Sequence, residues 1–101
     1  MSMYNPAHPG EIFKELMLEP LGLSINEVAD HLGVDSNLLT KIIKGKVTIT
    51  PEIALRFEMT FGKPNAAHWL RLQNAYDLWQ IRQNLIHIQV TPLKLHHAIA
   101  V

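Results

Sequence analysis

The chain has 101 residues, nine Lys and Arg against nine Asp and Glu, and no cysteine. That length suits one small domain spanning residues 1–101 rather than two domains. Without cysteine there is no disulfide framework and no thiolate metal site. Zero net charge excludes strong long-range steering toward nucleic acid, and no apolar run approaches the roughly 20 residues of a membrane-spanning helix.

The first segment, Met1–Ala7, reads as a loosely held arm without the basic and apolar regions of a signal peptide. A cytoplasmic protein is the expectation. His8-Pro9-Gly10-Glu11 then opens a helix, because proline is tolerated in a first turn and an acid suits the positive end of the helix dipole. Ile12, Phe13, Leu16 and Met17 predict its apolar face. Pro20 and Gly22 are expected to stop it, with Leu21 and Leu23 packed beneath the turn.

Leu23–Gly45 carries the strongest pattern. Ser24 is a good N-cap, and Glu27 three residues on completes a capping box. Val28, Ala29 and Leu32 recur at helical spacing, and Gly33 allows a sharp turn. Asp35 or Ser36 caps a second short helix, whose inner face is Leu39 and Ile42. Apolar residues at 28, 32, 34, 39 and 42 around a small Ala29 are the pattern of a helix-turn-helix. The lock leaves Asp35, Ser36, Asn37, Thr40, Lys41 and Lys44 on a free face, and all are polar. In the DNA-binding form of the motif such a helix enters the major groove. The bland alternative is a helical hairpin with a solvated face.

Charge is polarised along the chain. Between Ser36 and Thr50 stand Lys41, Lys44 and Lys46 without an acid. Between Glu11 and Asp35 stand six acids against Lys14 alone. A local patch suffices to contact phosphate. The acidic region reads either as solvated surface or as a docking surface for a basic partner.

Thr50-Pro51-Glu52 is a strong helix start, followed by an inward stripe of Ile53, Ala54, Phe57 and Phe61, and Gly62 ends the helix. Asn65 caps a long fifth helix to about Asn84. It carries Trp69, Leu72, Tyr76 and Trp79 on one side, and Leu70, Leu78, Ile81 and Leu85 on another. A helix apolar on two sides must be covered twice. The expectation is a homodimer with Trp69, Leu72, Tyr76 and Trp79 at its interface, which also offsets the modest core of so small a domain. Ile86–Val90 alternates like a strand, and the tail 86–101 is otherwise unreadable. The fold class is therefore all-α: a five-helix bundle, core about 8–85, containing a helix-turn-helix.

No catalytic arrangement is evident. None of the six histidines shows the i, i+4 spacing of a helical zinc motif, and His96-His97 reads as a surface pair. No glycine-rich phosphate loop or nucleophile elbow occurs. An enzyme, a metal and a cofactor are not expected.

HPGE near the start, EPLGLS before the first motif helix, LGVDSNLLTKIIKGKVTITPEIALRF and WLRLQNAYDLWQ together resemble the HigA antitoxins, also called VapI-type proteins. The resemblance spans residues 8–83. It implies a repressor-like bundle that binds a palindromic operator as a homodimer. It also implies a partner toxin, a HigB/RelE-like ribonuclease that cleaves messenger RNA. DNA contacts carry over to Ser36, Asn37, Thr40, Lys41 and Lys44, with Lys46 beside them, and backbone contacts to Ser24 and Asn26. One departure stands out: where relatives often have serine then arginine, this chain has Asp35 and Ser36. Two other readings remain: a protein-binding module that sequesters a basic partner without DNA, and a phage-type repressor without a toxin.

Overall fold

The computed structural model describes residues 5–85 and 88–94. Its first helix, α1, is built of three pieces in unbroken succession: Pro9–Phe13, a wider π turn over Lys14–Leu18, and Glu19–Leu21. Four more helices follow: α2 (Ile25–Leu32), α3 (Ser36–Ile43), α4 (Pro51–Phe61) and α5 (Ala66–Gln83).

Four of the five helix starts have a side-chain cap, and the start of α3 at Asp35 does not. Ser24, Thr50 and Asn65 Oδ1 or hydroxyl oxygens accept from the amides of Glu27, Ile53 and His68. At α1 the cap is a histidine, with His8 Nδ1 accepting from Gly10 N–H at 2.9 Å. The turn after α2 is closed by Gly33 at φ +73°, with Val34 N–H reaching back to the Ala29 carbonyl.

Pro20 lies inside α1 rather than ending it. A proline ring collides with the carbonyl four residues earlier and has no N–H to give. The π turn just before it relaxes that ladder: Glu19 N–H bonds the Lys14 carbonyl, five residues back. The extra residue also rotates the inward face. Phe13 is followed into the core by Leu18, while Leu16 is left 60% exposed and Ile12 and Met17 pack against the core's edge. The expected stripe through Leu16 assumed an unbroken 3.6-residue period. Gly22 is the residue that stops the helix, and Leu21 beside it is exposed.

α2 and α3 pack on one another, α1 lies across α3 and α5, and α4 bridges α2 and α5. The core joins Val28, Ala29, Leu32, Leu39 and Ile42 of the two motif helices to Phe13, Leu18, Ile49, Ala54, Phe57 and Trp69. Phe13 and Phe57 stack at 4.3 Å, and both meet Trp69 edge-on. Edge-to-face and offset rings add about 1 kcal/mol each beyond area burial.

Of the four residues expected at a dimer interface, two lie in or against this cluster. Trp69 is 1% exposed and Leu72 packs against the core, on the side of α5 that meets α1 and α4, while Tyr76 and Trp79 are half-buried. The side left open carries Leu78, Ile81 and Leu85. The expected strand is also absent among the described residues: 88–90 are exposed coil, while Ile86 and His87 lie outside them. At the other end Pro6 is buried rather than loose, and Met1–Tyr4 lie outside the described residues, as do 95–101.

Candidate nucleic-acid interface

α3 reaches the surface because the rest of the chain grips it from behind. Leu39 and Ile42 are wholly buried. Gly10 of α1 sits directly against the Ile42 carbonyl, closer than any side chain would allow. Past the end of α3, Gly45 takes φ +76° and lies under the His8 ring. The loop that follows is pinned from α5: Gln73, itself buried, accepts from Ile49 N–H at 2.8 Å and donates to Asp77 at 2.9 Å. Leaving that buried amide unpaired would cost about 1–3 kcal/mol. Behind the turn, Arg56 of α4 donates to the Leu32 and Gly33 carbonyls at 2.8 and 3.3 Å and pairs with Glu52. It thus places a cation at the negative end of α2.

What remains outside is polar. Asn37, Lys41, Lys44 and Lys46 are exposed, and Ser36 and Thr40 are half-exposed. The Thr40 hydroxyl donates to the Ser36 carbonyl at 2.9 Å, which fixes its rotamer while leaving oxygen lone pairs and a methyl group. At the start of α2, Ser24 and Asn26 are exposed, and the Ser24 oxygen is engaged with Glu27 N–H. Asp35 holds the N-cap position of α3 with extended backbone, but its carboxylate makes no capping bond. Its charge therefore stands exposed at the leading end of the helix.

Two functional supports were not readable as such. His8 and Gln73 are buried polar residues that join α1, α3 and α5, and only their burial reveals the role. Burial pushes the His8 imidazole below its ordinary value of 6.5, against the raising pull of Asp77 and Glu11. Its Nδ1 must stay unprotonated to accept from Gly10. As pH falls through about 6.5 the unfolded chain therefore takes up the proton first, and stability is lost toward the lower, folded-state pKa. Above 6.5 that contribution is fully present. We expect His8→Asn, which keeps a capping acceptor, to flatten the fall of thermal stability below pH 6.5. An unchanged pH slope in melting experiments would count against this role for His8.

A short helix docked at a tight turn, with a polar face turned outward, defines a helix-turn-helix DNA-binding protein. Among the described residues no group of metal-ligating side chains gathers, and no helix is long and apolar enough to cross a membrane. The helix-turn-helix family profile matches residues 13–64. Virulence-associated protein A of Dichelobacter nodosus is 40% identical over 92 residues, covering 91% of this chain and 89% of its own. The structure of an addiction module antidote protein of the HigA family from Coxiella burnetii matches with a TM-score of 0.77 at 36% identity, covering 89% of this chain and all of that one. Antitoxin HigA of Pseudomonas aeruginosa, solved with the higBA promoter, matches with a TM-score of 0.75 at 27% identity, covering 88% and 99%. The chain belongs to the helix-turn-helix family and, within it, to the HigA/VapI-type antitoxins.

Proposed function

We propose that this protein is the repressor and antitoxin of a toxin–antitoxin pair. It binds a palindromic operator in its own promoter as a homodimer in the cytoplasm, and neutralises a HigB/RelE-like toxin that cleaves messenger RNA. No catalysis of its own belongs to this reading. The observation that carries it is the exposed face of α3, gripped from behind by Gly10, His8 and Gln73.

In this reading Ser36, Asn37 and Thr40 meet base edges, and Lys41 beside them holds a phosphate. Asn37 has the paired donor and acceptor that suit adenine, and Thr40 has a methyl for thymine. Lys44 and Lys46, with Ser24 and Asn26, hold phosphates. The unbonded Asp35 carboxylate suits a cytosine amino group rather than the guanine that an arginine would select. Support for the dimer comes from the exposed Leu78 and Ile81 of α5 and Leu85 just past its end. A palindrome would be read by two α3 helices about one DNA turn apart. Support for a basic toxin is the exposed acidic surface of α1 and α2, with Glu11, Glu15, Glu27 and Asp30.

The test is fluorescence anisotropy with a duplex from the protein's own promoter across a salt series. Three α3-side lysines from each of two protomers give a log–log slope of about −5. Weak, salt-independent binding would leave the protein-only module as the better reading.

A further inference from the structure

The α3 face does not end at α3. An open groove runs beside it, with Thr40 and Lys44 on one bank, Gly22 and Ile25 at the junction of α1 and α2, and Lys14 and Glu19 on the far bank. Its floor is apolar. Thr40 and Lys44 belong to the DNA-facing set, so this groove opens on the same side of the molecule. Two lysines lining one groove with the apolar Leu18, Leu23 and Ile43 match one chemistry well: a sugar–phosphate strand has charged phosphates for the lysines and an apolar deoxyribose face for the leucines and isoleucine. Lys14 is the lone cation in the acidic first third of the chain, between Glu11 and Asp35. Among the described residues it pairs with Glu19 alone, at 3.8 Å, with both side chains more than half exposed. Such an exposed pair contributes little to stability, so nothing in the fold explains why a lysine stands there.

We propose that Lys14 is an additional operator contact, gripping a backbone phosphate opposite Lys44, and that Glu19 is its competitor. In the free protein Glu19 holds the Lys14 ammonium. On the operator the phosphate takes its place, and the Glu19 carboxylate is left facing the strand. Glu19 thus lowers affinity through Lys14 and keeps the grip on DNA submaximal. This inference rests on the operator-binding reading above.

The experiment is a cycle of Lys14→Gln, Glu19→Gln and the double variant, measured by anisotropy against the promoter duplex across salt. Loss of two contacts per dimer makes the Lys14→Gln slope shallower by about 1.8, with affinity at 0.1 M salt down by on the order of tenfold. Lys63→Gln, at a lysine that lines no part of the groove, is the control for general charge. Glu19→Gln tightens binding a few-fold, and that gain shrinks when Lys14 is already glutamine. Wild-type slope in Lys14→Gln, or a Glu19→Gln gain that persists unchanged without Lys14, would overturn the proposal. Failure of the unaltered protein to bind the duplex would instead overturn the operator-binding reading itself.

Discussion

Gly10→Ala should lower the melting temperature by roughly 10–20 °C, the largest stability loss we expect from any single methyl group in this chain. A Cβ at this position falls inside the van der Waals envelope of the Ile42 carbonyl. That carbonyl belongs to the buried last turn of α3, so it cannot swing aside as a flexible side chain would. Either α1 moves away from α3 or the last turn of α3 deforms. Overpacking of this kind costs about 1–3 kcal/mol, and each kcal/mol shifts a domain of this size by about 4–8 °C. Gly22→Ala is the matched comparison. Gly22 has φ +65° with open space around it, so that variant carries only the left-handed backbone penalty of about 1 kcal/mol. Equal losses at the two sites in thermal denaturation would show that the α1–α3 contact is not tight. Because the contact sets how far α3 stands out from the bundle, Gly10→Ala should also weaken operator binding.

The elements that local rules govern were the legible ones. Ser24, Thr50 and Asn65 cap their helices as their positions dictate, because an N-cap depends on a few neighbouring residues. The Val28, Ala29, Leu32, Leu39 and Ile42 lock was equally readable, since its spacing is the geometry of two crossing helices. Illegible features depend on partners distant in sequence or on a break in period. The π turn at Lys14–Leu18 shifts the inward residue from Leu16 to Leu18, and Pro20 is its only local signal. A two-sided helix such as α5 cannot declare which side its own bundle will close. Trp69 inside and Leu78 outside follow from where Phe13 and Phe57 arrive. Gln73 looks like any polar helical residue until Ile49 N–H, 24 residues earlier, comes to it. Of the proposed interface, the α3 face was readable from its polarity. The bank formed by Lys14 and Glu19 was not, because it exists only once α1 is laid beside α3.

Lys41→Glu is the substitution expected to damage operator binding most. Lys41 sits in the last turn of α3 on its exposed face. Charge reversal there replaces an attraction with a repulsion in each protomer. For a dimer that removes two phosphate contacts, so affinity at 0.1 M salt should fall by on the order of a hundredfold and the salt slope should become shallower by about 1.8 or more. Stability should stay within about 0.5 kcal/mol, as for other exposed positions. A mere loss of the cation's favourable contact with the helix dipole is worth well under 1 kcal/mol and cannot mimic a hundredfold change. Separation of the two readouts is what makes the variant informative. Lost binding with an unaltered melting curve assigns the α3 face to DNA. Retained binding moves the interface away from α3 altogether.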